Sequence, residues 1–274
     1  MILEYTALYV VPTPLGNLGD LTLRAAEVLR SVAWVAAEDT RHSAPLLKHL
    51  GAAARTLPAH QHNEHEAAAR IVEKLQAGES VALISDAGTP GISDPGARIV
   101  AAVRAAGCKV VPLPGACAAV TALSAAGLTD EHFLFYGFLP SKGGQRRQAL
   151  ESLRSQAAAL VFYEAPHRVL ETVEDMANVL GERTLVVARE LTKLFETVLD
   201  GTLADLQARV DADENQRKGE FVVMVQGAGD DVEARLSEGR RVYAMLNEHL
   251  PPSTAAKLAA EITGAPRKEL YGAR

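Results

Sequence analysis

Residues 81–96, VALISDAGTPGISDPG, join an apolar run to a loop that holds three glycines, two prolines and two aspartates. The apolar run predicts a buried β-strand, and glycine and proline let the loop approach a ligand closely while staying rigid. A phosphate-binding loop would carry a lysine, yet no lysine occurs between Lys74 and Lys109. The dinucleotide fingerprint G-x-G-x-x-G is also absent from the sequence, so this loop is not expected to hold a phosphate group.

Asp86 directly follows the predicted strand and would repel an anion. A carboxylate at this position suits a ligand with hydroxyl, ammonium or sulfonium groups, and S-adenosylmethionine carries all three without a phosphate. The equally good alternative is that Asp86 only caps a local turn, as aspartate often does. The residues by themselves leave both interpretations open.

The sequence around this loop, residues 7–127, alternates apolar strands with amphipathic helices, which is typical of a parallel sheet covered on both faces. Asp20 and Asp94 are predicted to cap two of these helices at their N-termini. Ligands bind at the carboxyl ends of the strands in such sheets. Two further loops rich in glycine and proline are predicted there, PTPLGNLGD (12–20) and PLPGAC (112–117).

The pattern changes after Gly127. Predicted strands at 184–192 and 196–203 lie too close together for a helical crossover, so the second sheet must be partly antiparallel. The predicted α/β protein therefore has an N-terminal domain with the ligand loops (1–128), a second domain with a mixed sheet (129–230) and a helical C-terminal extension (231–274). The extension is predicted to be a helical hairpin packed on the body, with a small helix-turn-helix as the alternative.

The composition is that of a globular protein, with 274 residues, 48% hydrophobic residues and a net charge of −6. No apolar run reaches the roughly 18 residues that span a bilayer, and the N-terminus has no basic region like that of a secretory signal. The two cysteines, Cys108 and Cys117, stand outside any metal spacing. The sequence therefore predicts a cytoplasmic protein with no metal site and no membrane partner.

Seven motifs, in order and in register, resemble the tetrapyrrole methylase superfamily. They are LYVVPTPLGNLGDLTLRA, AAEDTRHS, LISDAGTPGISDPG, PGACAAVTALSAAGL, FYGFLP, EAPHR and RELTKLFE. The resemblance is strongest to the ribosomal branch, the ribosomal RNA small subunit methyltransferase I family. It implies the two-domain tetrapyrrole-methylase-like fold, S-adenosylmethionine in the cleft between the domains, and usually a homodimer. It also implies 2′-O-methylation of the ribose of a decoding-centre cytidine in 16S rRNA, in the small ribosomal subunit.

The resemblance also carries cofactor contacts onto positions of this sequence that match the motifs. Asp86 is the expected partner of a polar group of S-adenosylmethionine, and Tyr163 is expected to reach the cofactor from the second domain. Cys117 departs from the usual serine-like or aliphatic residue. The remaining expected contacts are Leu15, Thr89, Ile92 and Ala116.

Four polar clusters at predicted strand ends are candidates for the RNA and the chemistry. The residues expected to face the RNA are Glu38, Asp39, Arg41, His62, Asn63, Glu164, His167, Arg168, Arg189 and Glu190. Glu64 and Lys193 are the candidates to assist deprotonation of the ribose hydroxyl. The alternatives are a salt-bridged loop at residues 38–41 and helix capping by Asn63. The basic stretches 141–154 and 235–274 could meet phosphates or form solvated helix faces.

Two other functions are compatible with parts of the sequence. A tetrapyrrole methylase that acts on small molecules would be expected to lack the basic helix after residue 142 and the helical tail. A non-catalytic ribosome-assembly factor that binds RNA would have no reason to retain the cofactor loops.

Overall fold

The computed structural model describes residues 6–202, 205, 208, 218–228 and 232–270. The first of its two five-stranded sheets is parallel throughout, with the strand order β3-β2-β4-β1-β5. Its strands are β1 (Leu8–Val10), β2 (Trp34–Ala37), β3 (Arg55–Pro58), β4 (Val81–Ile84) and β5 (Val110–Pro112). The helices between them are a short 3-10 helix (Leu18–Asp20), α1 (Leu23–Ser31), α2 (Thr40–Leu50), α3 (Glu64–Gln76), α4 (Ala97–Ala105) and α5 (Ala118–Ala126).

Strand β4 shows why the first sheet is covered on both faces. All four of its residues are buried, and alternate side chains enter two different cores. Ala82 and Ile84 pack with α1 and α2, whereas Val81 and Leu83 pack with α3 and α4. The predicted parallel sheet is therefore confirmed. Its edge strand β3, in which only Leu57 is buried, was not assigned from the sequence.

The second sheet is mixed, as predicted, with the order β6-β7-β10-β8-β9. Strands β6 and β7 are parallel, and the other neighbouring pairs are antiparallel. The strands are β6 (Phe133–Phe138), β7 (Ala159–Glu164), β8 (Leu185–Arg189), β9 (Thr197–Gly201) and β10 (Phe221–Val225), with helices α6 (Gly143–Leu153) and α7 (Val169–Leu180).

Helix α5 joins the two halves of the molecule. Its buried residues Ala119 and Ala122 pack on Val161, Val186 and Val222 of the second sheet. The opposite face of that sheet packs on α6 and α7. The helix that ends the N-terminal series thus covers the second sheet, and the cleft between the halves lies next to its N-terminus.

The C-terminal extension consists of helices α8 (Val232–Asn247), α9 (Pro252–Thr263) and α10 (Arg267–Leu270). They bury their apolar residues against one another, with Gly264 in the left-handed conformation between α9 and α10. The prediction of a hairpin packed on the body was therefore wrong, because the helices build a core of their own. Among the described residues, no helix is long and apolar enough to cross a membrane.

Two predicted helix caps were also wrong. Thr22, not Asp20, caps α1, and its hydroxyl accepts a hydrogen bond from the Ala25 N–H at 3.1 Å. Helix α4 begins after Gly96, which has a φ of 139° and occupies the cap position. Asp94, two residues earlier, is therefore not the cap that the sequence predicted. Asp94 is left in the loop with its carboxylate available for another role.

Candidate active site

The three loops rich in glycine and proline meet at the carboxyl end of the first sheet. Thr13 and Gly88 form an isolated antiparallel bridge, with N–H to carbonyl distances of 2.9 and 3.0 Å. The Thr89 hydroxyl donates to the Ala116 carbonyl at 2.8 Å and so ties the second loop to the third. A side chain at Gly115 would lie 2.5 Å from the Pro12 ring, which explains the glycine there. The loops form one rigid platform.

Between this platform and the second sheet lies a cavity of about 420 Å³. Tyr163 of β7 closes one side, and its phenolic oxygen accepts a hydrogen bond from the Ala119 N–H at the start of α5, at 3.1 Å. Other residues from both halves complete the lining, which includes Leu15, Glu38, Asp86, Thr89, Ile92, Asp94, Cys117, Phe138, Glu164, Glu220 and Val222.

Carboxylates dominate the charge of the cavity. Glu38 follows β2, Asp86 and Asp94 lie in the loop after β4, and Glu220 precedes β10. Burial, reinforced by the charges of Glu38, Asp86 and Glu220, raises the pKa of Asp94 to about 6. Burial, reinforced by Asp86, also raises the pKa of Glu38. The cavity is therefore suited to a cationic ligand with hydroxyl groups and unsuited to a phosphate.

The structure brings the predicted cofactor residues together. Leu15, Asp86, Thr89, Ile92, Cys117 and Tyr163 all line the cavity. Ala116 contributes its carbonyl to the loop platform rather than a side chain to the lining. Burial raises the pKa of the Tyr163 hydroxyl, which keeps it protonated next to the carboxylates.

Of the first predicted RNA cluster, Glu38 lines the cavity, whereas Asp39 and Arg41 form the start of α2. The Arg41 guanidinium, 2.8 Å from the Asp39 carboxylate, holds the pKa of that carboxyl well below its usual range. The salt-bridged loop was the alternative interpretation, and the pair matches it. Arg41 is nevertheless 90% exposed.

The residues of the second cluster serve mainly to shape a loop. The Asn63 carboxamide accepts a hydrogen bond from the His60 N–H at 2.8 Å and donates one to the Pro58 carbonyl at 3.1 Å. It occupies the cap position of α3 without capping it. His62 is exposed and is free to face a substrate.

Glu64, one of the two candidates for deprotonation, has a different position from the one expected. Its side chain is 9% exposed, and its Oε1 accepts a hydrogen bond from the Gly96 N–H at 2.8 Å. It is not among the residues that line the cavity. Glu64 fixes the start of α4, so we assign it to loop positioning rather than to proton transfer.

Glu164 and Arg168 are not arranged to bind RNA. The Glu164 side chain is fully buried, and it accepts hydrogen bonds from the Thr172 hydroxyl at 2.6 Å and the Arg168 guanidinium at 3.2 Å. Arg168 also donates to the Leu139 carbonyl at 2.8 Å. Of the predicted EAPHR cluster, His167 is exposed.

Arg189 is likewise committed to the fold. It is 5% exposed, and it donates to the Lys218 carbonyl at 2.8 Å and to the Phe195 carbonyl at 3.0 Å. These bonds hold the loop after β8 against the segment that leads into β10. An arginine buried in this way cannot reach an RNA phosphate, so the expected contact is replaced by a structural role.

Lys193 lies between Glu190 at 2.8 Å and the cavity-lining Glu220 at 2.7 Å. Its aliphatic stem covers Gly16 of the first loop, where a Cβ atom would overlap it. Burial opposes its charge, but the hydrogen bonds to the two carboxylates outweigh burial and raise the pKa of the ammonium. Lys193 is therefore held as a cation, and its part in assisting deprotonation of the ribose hydroxyl stays a prediction.

Two of the acidic residues that line the cavity were missed by sequence reasoning. Asp94 was assigned to a helix cap, although its place in the loop SDAGTPGISDPG was a sufficient signal. Glu220 directly precedes the apolar strand β10, whereas Asp86 lies just after the apolar strand β4. Neither motif nor spacing reveals that the two halves bring these carboxylates into one cavity.

Comparison with known proteins identifies the architecture. A family model described as Tetrapyrrole (Corrin/Porphyrin) Methylases matches residues 7–207. The chain belongs to the tetrapyrrole methylase family. A second model, described as the RsmI C-terminal HTH domain, matches residues 233–273 and agrees with the separate core of α8, α9 and α10.

Curated relatives resemble this methylase along nearly its whole length. One is ribosomal RNA small subunit methyltransferase I of Xylella fastidiosa (strain Temecula1), 59% identical over 266 residues, with 97% of each chain covered. Another, of the same name from Escherichia coli O157:H7, is 51% identical over 265 residues, with 96% of this chain and 93% of the relative covered.

Solved structures show the same fold at lower identity. The methyltransferase CobJ superimposes with a TM-score of 0.61 at 20% identity, covering 81% of this chain and 94% of that one. Uroporphyrin-III-C-methyltransferase from Thermus thermophilus gives 0.57 at 24% identity, with the same two coverages.

S-adenosylmethionine is the methyl donor of this methylase. The cavity fits that cofactor on its own evidence, because its carboxylates can offset a sulfonium or ammonium charge and bind ribose hydroxyls. The side chains of Leu15, Ile92 and Val222 give the cavity an apolar surface on which the adenine base of the cofactor can pack. Among the described residues, no group of three or more metal-ligating side chains could hold a metal ion.

Proposed function

We propose that this methylase 2′-O-methylates the ribose of a decoding-centre cytidine in 16S rRNA, within the small ribosomal subunit. The observation that carries the proposal is the full-length similarity, 59% over 97% of both chains, to a protein named ribosomal RNA small subunit methyltransferase I. The match includes the helix-turn-helix extension, whose residues lie outside the match to the methylase model. The choice of the 2′-oxygen of a cytidine rests on the motif resemblance.

The cavity supports a methyl transfer in which the protein mainly positions the reactants. Asp86, Thr89 and Tyr163 would hold S-adenosylmethionine against the loop platform, with their orientations set by hydrogen bonds to the backbone of Asp39, Ala116 and Ala119 respectively. The bound cofactor supplies an activated methyl group, so alignment of the acceptor oxygen accounts for most of the rate. Lys193, paired with the lining residue Glu220, would supply a positive charge to an approaching RNA backbone.

The surface proposed for RNA differs from the one expected from the sequence alone. Arg168 and Arg189 are excluded because their guanidinium groups are bonded inside the fold. Arg41, His62 and His167 keep exposed side chains near strand ends of the two sheets. We assign the RNA contacts to these exposed residues and to the C-terminal extension.

We also propose that the chain acts as a homodimer in the cytoplasm. Edge strand β6 supports this proposal, because it exposes Phe133, Tyr136 and Phe138 to between 40% and 54%. Exposed apolar surface of this kind commonly marks a protein interface. Sedimentation equilibrium is expected to give twice the mass of one chain, and Tyr136→Asp is expected to shift the mass toward one chain. A mass of one chain for the unaltered protein would contradict the proposal.

The reaction is tested by transfer of labelled methyl groups to small ribosomal subunits that lack the modification. We expect one methyl group per subunit, recovered as 2′-O-methylcytidine when the digested nucleosides are identified by mass. Naked 16S rRNA, offered in parallel, is expected to be a poorer acceptor than the assembled particle.

Three outcomes would contradict different parts of the proposal. Transfer to the base instead of the ribose would overturn the 2′-oxygen. Transfer to a tetrapyrrole and not to subunits would establish the small-molecule function. Binding of RNA without transfer to any acceptor would establish a non-catalytic assembly factor.

A further inference from the structure

Asp94 lies where the two halves of the molecule meet. It lines the cavity with Asp86 from the first half and with Tyr163 and Glu220 from the second. The neighbouring Ser85 hydroxyl donates to the Gly88 carbonyl at 3.2 Å. The charge of Asp94 helps to make the cavity suitable for a cation, whereas Asp86, Thr89 and Tyr163 are the residues proposed to hold S-adenosylmethionine.

The backbone around Asp94 is held in an unusual conformation. Ser93 has a φ of 60°, which is uncommon for a residue with a side chain, and Gly96 has a φ of 139°. The Gly96 N–H is bonded to the buried Glu64, and Gly137 of strand β6 packs closely on the Ser93 hydroxyl. Such strain persists only when the surroundings enforce it, and it occurs most often at functional sites.

The charges that face Asp94 come from every element around it. Glu38 follows β2, Asp86 follows β4, Glu220 precedes β10, and the phenol of Tyr163 comes from β7. Burial and repulsion by the three carboxylates raise the pKa of Asp94 to about 6. At neutral pH the group is therefore ionised and is a stronger base than an ordinary aspartate.

We propose that Asp94 is the catalytic residue that accepts the proton of the acceptor hydroxyl. This inference rests on the proposed function, since it requires a hydroxyl as the methyl acceptor. When bound, S-adenosylmethionine supplies the methyl group, whose bond to sulfur breaks as its bond to the ribose oxygen forms. The electron pair of the O–H bond stays on that oxygen. The proton passes to a carboxylate oxygen of Asp94 and leaves later to water.

The assignment explains why neither candidate from the sequence is suitable. Lys193 is held protonated by two carboxylates and has no lone pair to offer. Glu64 is bonded to the Gly96 N–H outside the cavity lining. Asp94 combines a place in the cavity lining, a backbone fixed by the left-handed Ser93 and a raised pKa.

The first test compares Asp94→Asn with the unaltered protein at saturating S-adenosylmethionine and saturating small subunits. The rate of methyl transfer is expected to fall about 100-fold or more, which is the usual contribution of a positioned base. The rate of the unaltered protein should rise with pH as Asp94 ionises, whereas the rate of the variant should lack this rise. The rise should lie at or below the pH of about 6 found without cofactor, because the bound cation favours the carboxylate. Glu38→Gln, made in parallel, tests the other carboxylate with a raised pKa.

The second test uses the protein without cofactor or RNA. Carbon-13 NMR of labelled aspartates should show one carboxyl that titrates near pH 6, and this signal should be missing in Asp94→Asn.

Because the folded protein holds this proton more tightly than the unfolded chain, ionised Asp94 destabilises the fold above about pH 6. Asp94→Asn is therefore expected to raise the melting temperature at pH 7.5 by about 2–4 °C. The gain should vanish below about pH 4. Asp20→Asn, an exposed carboxylate outside the cavity, should change neither stability nor rate.

Each contrary result has a distinct meaning. A variant that retains the full rate while the unaltered protein is active overturns the assignment and leaves the proposed function intact. A rate that recovers with excess S-adenosylmethionine makes Asp94 a binding residue only. A lower melting temperature with a proportionate loss of rate makes it structural, and a loss confined to Glu38→Gln transfers the role to Glu38. Failure of the unaltered protein to methylate any RNA overturns the proposed function, and with it this inference.

Discussion

Asp86→Ala is expected to weaken the binding of S-adenosylmethionine by about 10- to 100-fold, measured by isothermal titration calorimetry. Asp86 follows β4 into the cavity, and its carboxylate accepts a hydrogen bond from the Asp39 N–H at 3.2 Å, which fixes its direction. A hydrogen bond to a charged group contributes about 1.5–3 kcal/mol, and its removal from a binding site corresponds to that loss of affinity.

Two variants separate charge from geometry in this prediction. Asp86→Asn keeps an acceptor for the Asp39 N–H but removes the negative charge, so its affinity should be intermediate. Asp20→Ala removes an exposed carboxylate of the first loop that does not line the cavity and should leave the affinity unchanged. If Asp86→Ala binds the cofactor normally, Asp86 only caps a turn, as the sequence alone allowed.

Glu164→Ala is expected to lower the free energy of unfolding by about 3–5 kcal/mol, because it leaves a buried positive charge without its partner. The Glu164 carboxylate is fully buried between Arg168 and the Thr172 hydroxyl, and the Ala165 N–H donates to it at 2.7 Å. Urea denaturation followed by circular dichroism measures the loss. S-adenosylmethionine and RNA affinities should fall together, in proportion to the fraction unfolded.

The matched experiment removes both partners. Glu164→Ala combined with Arg168→Met should cost less than the sum of the single changes, since no unpaired charge remains. Glu151→Ala, which removes one partner of an exposed pair with Arg154, should leave stability unchanged within error. Arg168→Ala with normal stability and lost RNA binding would contradict the structural role and restore the contact expected from the sequence.

The loops were predictable from the sequence, whereas the burial of individual side chains was not. At 85–96 proline fixes φ and glycine adopts backbone conformations that other residues rarely reach, so their spacing after an apolar run already predicts a ligand loop. The same kind of local signal placed Asp86 at the strand end, whereas Thr89 came from the family resemblance. Nothing local distinguishes Arg168, which is bonded to Glu164 and Leu139, from Arg41, which is 90% exposed.

Long side chains caused most of the incorrect site predictions, and the reason is physical. Arginine and lysine reach several ångströms from their backbone positions, so their partners come from distant parts of the chain. Lys193 illustrates this, since one of its two carboxylate partners, Glu220, lies in another segment. That carboxylate, together with Glu190, turns a candidate base into a fixed positive charge.

The sequence by itself determined the alternation of strands and helices, the parallel and mixed sheets, the rigid loops and the absence of a phosphate-binding pattern. All of these are written in the local pattern of apolar residues or in the backbone properties of glycine and proline. Only the tertiary structure decided which carboxylates share the cavity and which arginines are buried. Asp94 acquires its raised pKa from burial and from Glu38, Asp86 and Glu220, which folding alone brings within range of its charge.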